Sequence, residues 1–233
     1  MLRRTPTVKI DGKIQGGGSF ISRTPNWISE GALAAWLFQE ESVAYLDEGS
    51  EMWDITYTPM NTRTHDLFPG VHLKRGTGSF GTGTHVDARI VDEMSLAILF
   101  KSEVALAVGG IFCYTTGATT DALWGIGLTA GLQPAFFDKR HAGAVAPLTI
   151  SMTAHAQTSV LFATRSSTGV VKLYFDGALL RTTSAVAAPT VLGTEVIAVG
   201  GSNLFSHAGL WDSELSEAEV IRLTKTVKPW LDI

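Results

Sequence analysis

Two acid-rich stretches hold the residues best suited to chemistry: Asp47, Glu48, Glu51 and Asp54 in one, and Asp212, Glu214, Glu217 and Glu219 in the other. A pair of carboxylates cleaves a glycosidic bond when it flanks that bond at about 5–5.5 Å for retention or about 6.5–9.5 Å for inversion. On a strand, acids at alternate positions share one face and can meet those distances, but neither stretch lies in strand-like sequence. The first stretch reads as solvated turns, and the second as the start of a helix, where acids complement the helix dipole.

Other reactive arrangements are equally thin. Gly76-Thr77-Gly78-Ser79-Phe80-Gly81 matches G-x-G-x-x-G, but it runs on through Thr82-Gly83-Thr84-His85 into strand-like sequence. Dinucleotide binding needs that motif to follow a strand and open a helix, with an acid about 20 residues later. A Gly/Thr loop at the rim of a sandwich is the expectation. His65, His72, His85, His141, His155 and His207 show no H-x-x-x-H or H-E-x-x-H spacing, so no zinc is expected. No G-x-S-x-G occurs, and Cys113, the one cysteine, stands between Phe112 and Tyr114 as a packed thiol. Calcium requires six to eight oxygens. Asp47, carbonyls near Gly49, and Asp176 could contribute some of them, against the plainer reading of Asx-type turns.

Six tryptophans supply another chemistry, since flat aromatic faces stack on sugar rings. Trp36 and Trp211 lie in apolar strands and are expected in the core. Trp27, Trp53 and Trp230 stand in polar or terminal contexts and are the candidates for carbohydrate or partner contact, the alternative being packing of a loop or terminus.

The elements that must position these residues are strands. Short apolar or alternating runs separated by Gly, Thr, Asn, Asp and Pro predict strands at Leu33–Phe38, Gly70–Lys74, Met94–Lys101, Val104–Tyr114, Ala122–Leu128 and Pro147–Thr153. The same pattern continues at Thr158–Arg165, Val170–Phe175, Leu179–Thr183, Glu195–Val199 and Phe205–Trp211. Strands at this spacing without helices between them predict an all-β fold of antiparallel strands, a two-sheet sandwich or a jelly roll. Asp176-Gly177 between two strands predicts a type I′ hairpin. One short helix of about ten residues is expected, with Ser216 and Glu219 as a capping box and Leu215 and Val220 as a hydrophobic staple.

Composition narrows the function classes. The chain has 233 residues, 45% apolar and 17% charged, with mean hydropathy +0.19, and should fold as one domain. A formal net charge of −4 gives no general basic field, so no specific nucleic-acid partner is expected. The apolar runs fall short of the roughly 20 residues of a membrane helix, and no secretory h-region follows Met1-Leu2-Arg3-Arg4, so neither membrane insertion nor export is expected. Residues 1–30 read as a basic arm in which Arg3, Arg4, Lys9 and Lys13 surround Asp11, joined by the Gly16-Gly17-Gly18 hinge to a domain at 31–233. Such an arm is suited to assembly with an acidic neighbour or another subunit.

The order of elements in the last seventy or so residues carries a family resemblance. The Tyr174-Phe175-Asp176-Gly177 hairpin, the Ile197-Ala198-Val199-Gly200-Gly201 strand and Leu215-Ser216-Glu217-Ala218-Glu219 follow one another as in the concanavalin A-like, laminin G-like jelly-roll family. Leu33–Phe38 resembles its opening strand and Asp47-Glu48-Gly49 its acidic turn, so that the likeness covers about residues 31–226. The acid that the family often places after its I-G-G strand is missing from Leu204-Phe205-Ser206-His207-Ala208, which puts the family's calcium site in doubt, and no other cofactor is expected. The resemblance implies a lectin-like recognition domain. Joined to the arm, and made in a host cytoplasm without an export signal, it resembles a phage virion component. The expectation is therefore a non-enzymatic virion structural protein, a capsid decoration or tail-associated adhesion module. It would be homo-oligomeric, with other virion proteins and a cell-surface glycan as partners. The alternative is a free carbohydrate-binding module or a polysaccharide-active glycosidase or lyase.

Overall fold

The computed structural model describes residues 31–38, 43–45, 65–68, 71–75, 81–82, 93–102, 109–115, 122–128, 134–138, 158–184, 196–199 and 203–228. Within them the chain forms β1 (Ala34–Phe38), β2 (Val43–Tyr45), β3 (His65–Phe68), β4 (Val71–Arg75), β5 (Gly81–Thr82), β6 (Met94–Ser102) and β7 (Gly109–Thr115). These are followed by β8 (Ala122–Leu128), β9 (Pro134–Asp138), β10 (Thr158–Arg165), β11 (Val171–Phe175), β12 (Ala178–Thr182), β13 (Val196–Val199), β14 (Asn203–Trp211) and α1 (Glu217–Val227). The expected strand at 147–153 lies outside the described residues.

The larger sheet has the order β12-β11-β10-β6-β14-β1-β2, with β4 alongside the start of β14 and β3 beyond it. The smaller has the order β5-β13-β7-β8-β9, and every described pairing is antiparallel. Strand β14 pairs with β6 along its whole length on one side. On the other it meets β4 at Leu204 and Phe205 and then β1 from His207 to Leu210. A bulge at Ser206 lets one long strand serve both neighbours.

The central strands read as apolar runs because both their faces are covered. Every residue from Met94 to Phe100 and from Ser159 to Arg165 is buried. Strand register divides these residues between two layers. Ala97, Leu99, Val160, Phe162, Tyr174 and Trp211 form one cluster with Leu215, Val220, Leu223 and Val227 of the helix and its approach. The alternate positions, including Leu96, Ile98 and Leu161, face the other way, where β8 lies against β6 and β10 and β9 lies against β11. Burying a side chain of this size contributes roughly 1.5–3 kcal/mol. Among the described residues, the two layers therefore hold most of the hydrophobic stabilisation.

Several expectations need correction. Strand β7 is described from Gly109 and runs one residue past the expected end to Thr115, while 104–108 of the expected strand lie outside the described residues. Strands β2, β3, β5 and β9 were not anticipated. β5 has two residues and β2 three, too short for a periodic signal. β3 carries His65 and Asp66, and β9 opens with Pro134. Proline is tolerated there because β9 is an edge strand and Pro134 is its first residue. The other expected strands are present to within two residues, and both Trp36 and Trp211 are fully buried, on opposite faces of the large sheet.

Candidate functional site

The side chains with the richest polar chemistry among the described residues converge where α1 lies along β11. Sequence sets up the geometry at both ends of that strand. At the far end, Asp176 and Gly177 adopt φ of 50° and 83°, the left-handed pair that a type I′ turn demands, so β11 returns at once as β12. At the near end, Lys172 alternates with Tyr174 on the helix-facing side.

Asp176 closes the hairpin onto β10. Its backbone N–H donates to the Val160 carbonyl at 2.9 Å, while its Oδ1 accepts the Val160 N–H at 2.8 Å. Its Oδ2 accepts from Lys228 Nζ at 2.7 Å, and the same ammonium donates to the Thr158 carbonyl at 2.6 Å. The pair is well shielded, with the lysine side chain 5% and the aspartate 16% exposed. Lys228 is the C-cap of α1, where a cation also meets the negative end of the helix dipole.

Lys172 donates to Glu214 Oε1 at 2.8 Å, just ahead of the helix. The hydrogen bond to Glu214 is the main reason the Lys172 pKa lies above the usual lysine value. Tyr174, behind it, is fully buried, and burial pushes its phenol up. Its hydroxyl has no hydrogen-bond partner among the described residues.

Ser216 and Glu219 form the anticipated capping box: the Ser216 N–H donates to Glu219 Oε2 at 2.7 Å and the Glu219 N–H to Ser216 Oγ at 3.3 Å. The bonds from Ser216 hold the Glu219 carboxyl below its ordinary pKa. The staple forms as well, since Leu215 and Val220 are buried in one cluster. The helix has eleven residues.

The second acid-rich stretch is thus divided by task. Glu214 binds Lys172, Glu219 caps the helix, and Asp212 and Glu217 are exposed. Gly81 of the glycine-rich motif enters β5, opposite Val199, so the motif runs into a strand where a dinucleotide site would require a helix. Of the remaining candidates, Arg3, Arg4, Lys9, Lys13, Trp27, Asp47, Trp53 and Trp230 lie outside the described residues. Among the described residues, no group of three or more His, Cys, Asp or Glu could hold a metal ion, and no helix is long and apolar enough to cross a membrane.

Sequence reasoning missed Lys172, Lys228 and Ser95. Lys228 had a usable signal, a cation at the end of a helix already anticipated. Lys172 alternates with Tyr174 but gives no hint of its partner 42 positions away. Ser95 is hidden inside an apolar strand.

Comparison with solved structures places this architecture. The binding domain of botulinum neurotoxin DC in complex with rat synaptotagmin II matches with a TM-score of 0.61 at 11% identity, over 86% of this chain and 52% of that one. The fold is a jelly-roll-like β-sandwich. The same neurotoxin domain in complex with SialylT also matches with a TM-score of 0.61, at 12% identity over 86% of this chain and 52% of that one. Trypanosoma rangeli sialidase in complex with sialic acid matches with a TM-score of 0.58 at 13% identity, over 87% of this chain and 33% of that one. This chain thus spans about half the length of the neurotoxin domains and a third of the sialidase. No protein-family model and no curated protein sequence matches it.

Proposed function

We propose that this chain is a non-enzymatic recognition module, a lectin-like jelly roll that binds a surface glycan and is carried in a virion through its basic N-terminal arm. The observation that carries the recognition reading is the match of the sandwich, over 86% of this chain, to neurotoxin binding domains in complex with synaptotagmin II and with SialylT. The fate of the acids supports a non-enzymatic role. Asp176, Glu214 and Glu219 are held by a lysine, a lysine and a helix cap, so none of the three is free to act as half of a hydrolytic pair. The virion reading rests on the arm, whose charge and glycine hinge suit docking to a larger assembly.

The test is retention of the full-length protein on immobilised sialylated and neutral glycans, with reducing-sugar release from the same panel measured in parallel. Retention without release is the expected result. Release that is abolished by changing one carboxylate would replace the proposal with the glycosidase or lyase reading. Failure to be retained on any glycan would remove the recognition half.

A further inference from the structure

The Asp176-Gly177 turn combines a reactive dipeptide with an unusually complete set of restraints. In an Asp-Gly sequence the glycine nitrogen can attack the aspartate side-chain carbon, because no glycine side chain obstructs its approach. The Gly177 N–Asp176 Cγ bond forms, the nitrogen loses its proton, and the carboxyl hydroxyl leaves with a proton as water. The resulting succinimide regains one water at either carbonyl, giving aspartate again or isoaspartate. Nothing is oxidised or reduced, and water is the sole co-reactant.

Two conditions govern the step. The carboxyl must rotate toward the Gly177 nitrogen, and it must be the neutral acid, since a carboxylate has no hydroxyl to lose. The structure opposes the first. Oδ1 is tied to the Val160 N–H and Oδ2 to Lys228, whose ammonium is itself fixed by the Thr158 carbonyl. Together these bonds hold the side chain against β10.

We propose that Asp176-Gly177 is a latent isoaspartate-forming site, held shut by Lys228 at the end of α1. Conversion would route the main chain through Asp176 Cβ and Cγ, lengthening a two-residue turn by one backbone atom. It would also withdraw the side-chain carboxylate from Val160 and Lys228. The hairpin and the helix end are secured by the same group, so a single covalent event would release both, at a rate governed by opening of the clamp.

The test follows isoaspartate at residue 176 in the full chain, incubated at physiological temperature and neutral pH. Detection is by enzymatic isoaspartyl methylation and peptide mapping, with loss of one water marking the succinimide. Lys228→Met is expected to form isoaspartate on the order of tenfold faster than the parent, the equivalent of ~1.4 kcal/mol of opening free energy. Lys172→Met, which breaks the other ion pair without touching Asp176, is expected to match the parent. Equal rates in folded Lys228→Met and the parent would overturn the proposal, as would equal acceleration by Lys172→Met. If Lys228→Met fails to fold, Lys228→Gln, which keeps a donor without the charge, takes its place with an intermediate rate expected. The folded parent must also react more slowly than the same chain in urea, and equal rates there would defeat the proposal as well.

Discussion

Ser95 and Leu215, 120 positions apart in the chain, are joined by one buried hydroxyl: Ser95 Oγ accepts the Leu215 N–H at 2.9 Å and donates to the Ser213 carbonyl at 2.8 Å. Ser95 sits in the middle strand of the large sheet, and Leu215 opens the hydrophobic staple of α1. This contact docks the helix approach onto the core. Ser95→Ala is expected to destabilise the fold by about 1–3 kcal/mol, because it strands a buried donor and a carbonyl. The check is a lower urea midpoint with an unchanged m-value.

Tyr174 should behave in the opposite sense. Its hydroxyl is hydrated in the unfolded chain but is buried without a partner among the described residues. Tyr174→Phe keeps the ring in the cluster with Phe162 and Trp211 and removes that cost. A gain of roughly 1 kcal/mol is expected. A loss of stability on denaturation would show that the hydroxyl is satisfied in solution.

The ion pair at the hairpin should be far more costly to break from one side than from both. Removing one partner of a shielded pair leaves an uncompensated charge, typically about 3–5 kcal/mol. Asp176→Ala also frees the Val160 N–H, so it should exceed Lys228→Met. The double variant should lose less than the sum of the two, which a double-mutant cycle on urea denaturation measures directly.

Glu219 gives a pH-dependent prediction. Its carboxyl lies below the ordinary value in the folded chain because Ser216 donates to it. A depressed carboxyl contributes stability that is fully present above the unfolded value, about 4.3, and is lost as the pH falls through the folded value. Glu219→Gln should therefore flatten the acid limb of the stability curve in that window and leave its slope near neutrality unchanged. An acid limb identical to the parent's would assign the slope to other carboxyls.

These residues show what was legible in the sequence. The hairpin and helix could be read because their determinants are local: Asp-Gly fixes the turn, and Ser216, Glu219, Leu215 and Val220 lie within six positions of one another. Strands β6 and β10 could be read from apolar runs, since both of their faces are buried. The links between elements could not. Ser95 with Leu215, Lys172 with Glu214 and Lys228 with Asp176 are separated by 120, 42 and 52 positions, and no local preference marks either member for the other. Asp176 illustrates the limit: its role as a turn residue was evident from the sequence, whereas its cationic partner is supplied by the helix end.

The aromatic candidates offer a direct test of recognition. If the protein is retained on a glycan, Trp27→Ala, Trp53→Ala and Trp230→Ala can be compared one at a time, since stacking by a contact tryptophan typically supplies about 2 kcal/mol or more. At least one should cut affinity on the order of 30-fold, with the thermal midpoint unchanged. Equal affinity in all three would move the binding face elsewhere on the sandwich.

The arm makes the assembly reading measurable. Arg3, Arg4, Lys9 and Lys13 concentrate positive charge ahead of a chain whose formal net charge is −4, so the rest of the chain is more acidic than the whole. An arm of this kind can reach the acidic face of a second copy or of another component, and its attraction should weaken with salt. Light scattering at two concentrations is expected to show an oligomer for the full chain and a monomer for a chain beginning at Gly31. Raising the ionic strength should shift the full chain toward the monomer. If the shortened chain assembles as well as the full one, the contact belongs to the sandwich and the arm must be assigned another role. If both remain monomeric at every salt concentration, self-assembly through the arm is excluded and docking to a different component becomes the version to test.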